Sequence, residues 1–500
     1  MLLSLPSSAY LLLAGSLTIP LLHLCLVPRF IRMFPRAGAM FAGATLGYWA
    51  LLGAIAWWLP VMLPWAAAVS AAGWAWIWWR SRDDYGRSRQ LPPGSLAMLP
   101  LQPWMDRFYY TKLGRRYGPI YKTSHHFHPM ICFMNIDSSL RLLKAHDDRQ
   151  IRSPKVMADR FLPCGFLRGM DPANHATYRR LLQSLITPPV LAAWEPTIAR
   201  DLRPILADLQ THPEGAYAKP GWDIFLLRSF ARLFFGIHPE SAGFAQLAQG
   251  FQVIKLVSDR RISVPWLPSE RRTRQTLDEL SGLLMRQTAP DCLLAELRRQ
   301  PDFSPDPQSL RLLLFVVYLS SSDVAGLLQW LLKMLCDHPE AGLQLRAEVD
   351  AGITQMEPDS FARRFTLETL RLNQVEHLYR RVLEDFEWDG YRIPKGWLLR
   401  VCLSDAHRDP AVFNHAADFR PDRFLDPPPQ SEYLPFGAYQ RSCPGDKISH
   451  VISRVFLSTL TSECDWRQVG ECEVSYAAWH WIPGYQFRVV LTPRAVTQAA

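Results

Sequence analysis

The most constraining feature of this 500-residue chain is an uncharged run near its N-terminus. From Ala37 to Trp79, 43 consecutive positions hold no Asp, Glu, Lys, Arg or His. As a single helix this run would be about 65 Å long, roughly twice the thickness of a bilayer core. Pro60 lies near its middle and lacks a backbone donor, so a break is expected there. The run therefore predicts two transmembrane helices, at 38–58 and 61–79.

A shorter apolar run, from Ala9 to Val27, predicts a further helix ahead of these two. No basic residue precedes it and no clear small-x-small cleavage site follows, which favours an anchor over the alternative, a signal peptide. Arginines follow the first helix, at positions 29, 32 and 36, and the third, at positions 80, 82, 87 and 89. By the positive-inside rule both flanks are cytoplasmic. Residues 1–90 are therefore predicted to form a multi-pass anchor (helices 9–27, 38–58 and 61–79), with residues 91–500 on the cytoplasmic side.

Composition narrows the class of protein. The chain is 48% hydrophobic and 20% charged, which is enough to bury a large core. The net charge of +9 is a modest excess that favours a membrane surface or an acidic partner over nucleic acid. The nine cysteines include no Cys-x-x-Cys pair, so neither a disulfide framework nor a zinc site is predicted. A reducing compartment is the simpler interpretation.

Beyond the turn at Leu91-Pro92-Pro93-Gly94, helical apolar patterns dominate, for example Leu277 to Met285 and Leu310 to Leu335. Short strand-like runs occur at Ile120 to Thr123 and Phe487 to Leu491. These patterns predict a mainly α domain with small β-sheets over residues 91–500. The sequence contains no Gly-rich phosphate loop, no Gly-x-Ser-x-Gly and no His-Glu-x-x-His, which argues against nucleotide-binding, serine-hydrolase and zinc-protease classes.

Three motifs near the C-terminus carry the chemistry. Glu368 and Arg371 lie three apart in a helical stretch, so their side chains can pair. Arg423 offers a second guanidinium within Pro-Asp-Arg-Phe. Cys443 lies in a turn ahead of a helix, where backbone donors and the helix N-terminus are expected to favour its thiolate. Taken one at a time, each motif has an ordinary alternative: an exposed ion pair, or a small buried thiol.

Taken in order, the motifs resemble those of the cytochrome P450 family of heme-thiolate monooxygenases, whose pattern is Glu-x-x-Arg, Pro-Glu-Arg-Phe and Phe-Gly-x-Gly-x-Arg-x-Cys-x-Gly. The resemblance covers about residues 91–495. It implies a P450-type fold behind the transmembrane helices and heme b as cofactor. Cys443 would then be the axial thiolate on the iron, and Glu368, Arg371 and Arg423 a buried charge triad. A thiolate ligand favours O–O cleavage.

The resemblance also implies the residues that bind the cofactor. Asp171 to Leu181 looks like the family's third-helix signature, in which His175 and Arg179, four apart, face the heme propionates. Arg380 and Arg441 would bind propionates too, with Arg381 as an adjacent competitor for the role of Arg380. Phe436 begins the cofactor-binding cysteine loop.

Two departures from the family pattern bear on function. Where the family has Ala-Gly-x-acid-Thr, this chain has Leu319-Ser320-Ser321-Ser322-Asp323-Val324. One register puts Ser322 at the acid position and Asp323 at the Thr position, and a shift by one puts Asp323 and Val324 there, so neither register restores the pair. Ser322 and Asp323 are candidate catalytic residues that handle protons in exchanged places, and the alternative is that the serines bond to helix carbonyls. Tyr439 replaces a Gly that takes unusual dihedral angles, so it either brings a ring close to the heme edge or shifts the loop.

Three functional hypotheses follow. The first is a membrane-anchored monooxygenase that inserts one oxygen atom from dioxygen into a lipophilic small molecule. Its electrons would come from a separate reductase or ferredoxin, because no flavin or nicotinamide domain is visible. The second is an isomerase, dehydratase or peroxide-using enzyme of the same fold that needs no reductase. The third is a membrane heme protein without turnover.

Overall fold

A computed structural model describes residues 90–96, 106–125, 128–258, 268–352, 360–374, 377–429, 432–477 and 480–494, and the single positions 50, 65, 68 and 72. Apart from those four positions, the predicted transmembrane helices at 9–27, 38–58 and 61–79 lie outside the described residues. The multi-pass anchor, and the domain boundary after residue 90, therefore stay predictions.

Most of the described chain is helical. In chain order the α-helices are α1 (Tyr109–Tyr117), α2 (Ile136–His146), α3 (Pro172–Leu185), α4 (Pro188–Gln210), α5 (Lys219–Phe235), α6 (Ala242–Ser258), α7 (Pro268–Arg286), α8 (Leu293–Arg299), α9 (Pro307–Asp337), α10 (Pro339–Asp350), α11 (Phe361–Thr369), α12 (Leu403–Ala406) and α13 (Asp446–Glu463). Single turns of 3₁₀-helix lie at Met157–Arg160, Leu167–Gly169, Pro421–Leu425 and Tyr439–Arg441, and a π-helical turn, Leu370–Gln374, follows α11 directly.

The strands are short. They are β1 (Ile120–His125), β2 (His128–Phe133), β3 (Ile151–Arg152), β4 (Leu378–Val382), β5 (Phe386–Trp388), β6 (Tyr391–Ile393), β7 (Leu398–Val401), β8 (Cys464–Val469), β9 (Val474–Ala477), β10 (His480–Pro483) and β11 (Arg488–Pro493). Antiparallel pairs join β1 to β2, β3 to β4, β5 to β6, β8 to β11 and β9 to β10. The predicted helix-rich fold with small sheets is confirmed.

The chain divides into two compact units. The smaller contains the described residues up to Phe133 together with Asp385–Leu399. In it, the buried Lys122 on β1 donates its backbone N–H to the Pro93 carbonyl (2.7 Å) and its ammonium to the Pro92 carbonyl (2.8 Å). These two bonds hold the Pro-Pro-Gly segment against β1.

The larger unit, Met134–Glu384 with Arg400–Ala500, is built around α9. This helix begins where the Asp306 side chain accepts the Ser309 N–H (2.8 Å), and Pro307 occupies its first turn. Trp222 of α5 is fully buried and donates its indole N–H to Gln329 of α9 (3.0 Å). Because α9 is enclosed along much of its length, its side chains set the position of the elements around it.

Among the described residues, α9 is also the one helix long and apolar enough to cross a membrane. Two-thirds of its most apolar stretch is buried inside the protein. That burial accounts for its composition, since the central helix of a folded core needs apolar side chains on most of its faces.

Candidate active site

The Cys443 loop precedes α13 and is held by backbone hydrogen bonds. The Cys443 N–H donates to the Phe436 carbonyl (2.7 Å), and the Gly445 N–H donates to the Cys443 sulfur (3.4 Å). Phe436 packs partly buried against the core, edge-on to the His450 ring. The loop therefore presents one thiol on a fixed backbone.

The Cys443 thiol is largely removed from bulk water. Its side chain has accessible surface, yet burial raises the pKa of the thiol to about 11, outweighing the Gly445 N–H that lowers it. The Gly445 N–H acts in the predicted direction, toward thiolate, and the loss of hydration on burial opposes it. A bound metal ion is what would take the proton's place.

Tyr439 adopts the left-handed conformation that the family's Gly would adopt, with φ of +54°. Its ring is 47% exposed, so it points away from the core. The residue therefore holds a strained backbone conformation, which costs roughly 1–2 kcal/mol for a residue with a Cβ, and the two predicted outcomes, a ring near the heme edge or a shifted loop, stay predictions.

Two residues of α3 lie beside the cysteine loop. Arg179 donates to the Ser442 carbonyl (2.6 Å) and to the Ser442 hydroxyl (2.8 Å). His175, one turn earlier, is buried, and burial together with Arg441 and Arg179 lowers its pKa to about 4. At neutral pH His175 is therefore a neutral hydrogen-bonding group and not a cation.

Two consecutive aspartates that were not among the predicted site residues hold the other two arginines. Arg380 donates to both carboxylate oxygens of Asp147 (2.7 and 2.8 Å), and Arg441 does the same to Asp148 (2.8 and 2.6 Å). Arg441 also donates to the carbonyls of Leu167, Arg168 and Met170. The two adjacent aspartates directly after α2 are visible in the sequence, but the sequence does not show which arginines they pair with. The propionate role of Arg380 and Arg441 stays a prediction.

The predicted charge triad is assembled and buried. Arg371 donates twice to Glu368 (2.7 and 2.8 Å), and both side chains have no exposed surface. Arg423 donates to the same carboxylate (3.0 Å), as does the Arg420 N–H (2.8 Å). The remaining Arg371 donors bind the carbonyls of His407, Ala416 and Asp418. The triad thus fixes the irregular segment between β7 and the cysteine loop.

Arg168 is a further cation that was not predicted. Water reaches its side chain, but burial lowers the pKa of the guanidinium, as does Arg380, whereas Asp323 and Cys443 raise it. The charges of Arg168, Asp323 and Cys443 thus act on one another, and we call the region between these three residues the Cys443 chamber. In the described part of the chain, no hydrogen bond or ion pair engages the Arg168 guanidinium.

The serine-rich run lies on α9. Ser321 donates to the Tyr318 carbonyl (2.8 Å), so this hydroxyl is bonded to the helix. Ser322 is half-buried. The Asp323 side chain is 57% exposed and lies 3.4 Å from His480 of β10, measured from carboxylate oxygen to Nε2. His480 was not predicted, because nothing in its local sequence marks it.

Comparison with known proteins agrees with this geometry. The family model described as Cytochrome P450 matches residues 292–477. Abscisic acid 8'-hydroxylase 3 of Oryza sativa subsp. indica is 24% identical over 446 residues, which cover 80% of this chain and 86% of that protein. Cytochrome P450 26A1 of Danio rerio is 26% identical over 458 residues, covering 82% and 91%. The solved structure of retinoic acid-bound cyanobacterial CYP120A1 shares the fold, with a TM-score of 0.69 and 21% identity, covering 81% of this chain and all of that one.

Residues 292–477 form a cytochrome P450 domain.

The cofactor of this P450 is heme b with a cysteine as axial ligand. The residues present fit that group. Cys443 is unbridged and faces the chamber, and the donors of Arg179 and His175 lie beside its loop. Among the described residues, no group of three His, Cys, Asp or Glu side chains could hold a metal ion alone. A single thiolate that completes a porphyrin's ligand set is therefore the arrangement that this donor set suits.

Proposed function

We propose that this P450 inserts one oxygen atom from dioxygen into a lipophilic carboxylic acid, with electrons supplied by a separate reductase or ferredoxin. Cytochrome P450 enzymes are oxidoreductases that act on a lipophilic substrate and need a redox partner. The observation that carries the proposal is the Cys443 loop, whose hydrogen-bonded backbone presents one thiol to the Cys443 chamber, where Arg168 has no ion-pair partner among the described residues.

Each residue has a defined task in this proposal. Cys443 would ligate the iron, and bound heme would supply the redox chemistry. Arg179 and His175 would donate hydrogen bonds to propionates, with Arg380 and Arg441 oriented beside them by their aspartates. Glu368, Arg371 and Arg423 would hold the segment that carries the cysteine loop. Asp323 and Ser322 would manage protons on the opposite side of the chamber.

The acidic substrate is supported by two observations. Relatives of this chain are named for abscisic acid, and a structural neighbour contains retinoic acid, both lipophilic acids. Arg168 places in the chamber a cation that has no ion-pair partner among the described residues, and a substrate carboxylate would pair with it. Among the acids, Asp323 raises the pKa of Arg168 the most, and it lies beside His480.

The location is proposed from the sequence. The uncharged run from Ala37 to Trp79 supports a multi-pass anchor on a membrane, with the catalytic domain on its cytoplasmic side. Lipid would then be the environment from which an apolar substrate enters.

The first test is the reduced, carbon monoxide-bound absorption spectrum of the full-length protein. We expect a thiolate-type Soret band in wild type and in Cys164→Ser, an exposed cysteine that serves as the matched control. Cys443→Ser should lose that band, because an alcohol does not replace a thiolate on iron. Reductase-dependent product from a lipophilic acid completes the test. A thiolate band that survives Cys443→Ser would contradict the assignment, and turnover with peroxide alone would favour the isomerase or peroxide-using alternative.

A second test addresses Arg168. Retinoic acid and its methyl ester, titrated by the spin-state change of the heme, should differ in Kd, with the acid bound about 10- to 100-fold more tightly. Arg168→Gln should remove this difference, because the ester and the acid then meet the same neutral side chain. Arg180→Gln, an exposed arginine of α3, is the matched control and should keep the preference. An unchanged preference in Arg168→Gln would assign the carboxylate to another residue.

A further inference from the structure

The hairpin of β9 and β10 is attached to α9 at two points. Asp323 of α9 lies 3.4 Å from His480 of β10, and Trp330 of α9 donates its indole N–H to the Trp481 carbonyl (2.8 Å). Residues 323 and 330 are seven apart, about two helical turns, and therefore share one face of α9. Their partners are adjacent on β10, so one strand end is aligned along one helix face.

The two attachments differ in solvent access. Trp330 and Trp481 are 4% and 3% exposed, so this contact is shielded from solvent and its role is structural. The side chains of Asp323 and His480 retain 57% and 26% of their accessible surface. Water therefore reaches the Asp323–His480 contact, whereas the Trp330–Trp481 contact holds the hairpin in place.

The Asp323–His480 contact borders the Cys443 chamber. Asp323 is one of the three residues that define the chamber, and its negative charge raises the pKa of both the Cys443 thiol and the Arg168 guanidinium. Ser321, two residues before Asp323, gives its hydroxyl to the Tyr318 carbonyl. The Asp323 carboxylate and the His480 imidazole are thus both titratable, both reached by water and both located at the chamber.

We propose that Asp323 and His480 act as a couple that transfers protons from water into the chamber, and that His480 is a catalytic residue of the oxygenation. This inference rests on the proposed function. Monooxygenation consumes one substrate RH, one dioxygen, two electrons and two protons, and yields ROH and one water. The electrons come from the redox partner protein. The protons must cross the chamber wall, and His480 can donate one as imidazolium and recover it through Asp323 from water.

The activity test measures coupling rather than rate. In His480→Gln we expect product formed per dioxygen consumed to fall at least five-fold, with hydrogen peroxide released instead. The solvent deuterium isotope effect on product formation should rise, because proton transfer becomes limiting. Asp323→Asn should show the same signature. The carbon monoxide spectrum and the thermal unfolding midpoint of both variants should remain those of wild type, which separates proton transfer from folding.

Trp330→Phe is the matched control for a purely structural role of the hairpin. It removes the bond to the Trp481 carbonyl and leaves the couple intact, so we expect a lower unfolding midpoint with the product-to-dioxygen ratio of wild type. If Trp330→Phe uncouples the enzyme as much as His480→Gln does, the hairpin acts by packing and the proposed couple is overturned.

A second readout needs no turnover. A lipophilic azole that fills the chamber and ligates heme iron should protect His480 from carbethoxylation by diethyl pyrocarbonate, as measured by mass spectrometry. Exposed His212 should react equally with and without the azole. Reaction of His480 that the azole does not slow would place it outside the chamber and overturn the inference. Wild type that makes no oxygenated product overturns the proposed function, and the couple's role with it. Normal coupling in His480→Gln overturns the couple alone.

Discussion

Arg371→Ala is expected to abolish or severely reduce folding of the larger unit. The substitution removes the two Arg371 bonds from the fully buried Glu368 carboxylate, which keeps only Arg423 and the Arg420 N–H as donors, and it frees the carbonyls of His407, Ala416 and Asp418. Removing one partner of a buried pair costs about 3–5 kcal/mol, a large part of a typical stability of about 5–15 kcal/mol. Denaturant unfolding, followed by circular dichroism, measures the loss.

Arg203→Gln provides the control for this prediction. Arg203 and Glu463 form a pair with the same 2.7 Å separation, but their side chains are 57% and 36% exposed. Solvent screening limits such a pair to about 1 kcal/mol or less. Equal losses for Arg371→Ala and Arg203→Gln would show that burial of the triad does not matter to stability.

The free energy of unfolding is expected to fall steeply as the pH is lowered from 6.5 toward 4. His407 is fully buried, and burial, together with Arg371 and Arg408, lowers its pKa to about 3. Between that value and the unfolded value of about 6.5, the unfolded chain binds a proton that the folded chain does not, so stability rises with pH across this window and is lost as pH falls. The slope is about 1.4 kcal/mol per pH unit for each such group.

In His407→Gln we expect the pH dependence of the free energy of unfolding to be shallower between pH 5 and 6.5, by the contribution of one titrating group, because glutamine does not titrate. Its amide oxygen can still accept the Leu434 N–H that His407 Nε2 accepts now (3.0 Å). His175 and His450, with pKa values lowered to about 4, act in the same direction and stay in the variant. Exposed His212→Gln is the control and should keep the slope of wild type. Identical slopes in His407→Gln and wild type would contradict the prediction.

The sequence predicted those parts of the site that lie in contiguous motifs. The spacing of Glu368 and Arg371 indicated a pair, and the apolar pattern from Leu310 to Leu335 indicated the helix that became α9. The observed strand β11 begins one residue later than its predicted run and extends to Pro493. Local spacing carries this information because neighbours along a helix or strand are also neighbours in space.

Other parts depended on contacts between distant segments. The roles of three of these residues depend on contacts: Asp147 with Arg380, Asp148 with Arg441 and His480 with Asp323. The partners lie 157 to 293 positions apart in the chain. For Cys443, the backbone donor that favours the thiolate could be predicted from the sequence, whereas the burial that opposes it could not.

The longest of these contacts has a consequence for how the protein is made. Asp148 cannot form its ion pair until Arg441, 293 residues further along the chain, has been synthesised. At about 5–20 residues per second, translation separates the two by roughly 15–60 s. During that interval the segments around Asp148 and Met170 have been synthesised without the guanidinium that joins them. The chamber therefore closes only near the end of synthesis, and nascent chains that stop before Arg441 should lack the cofactor.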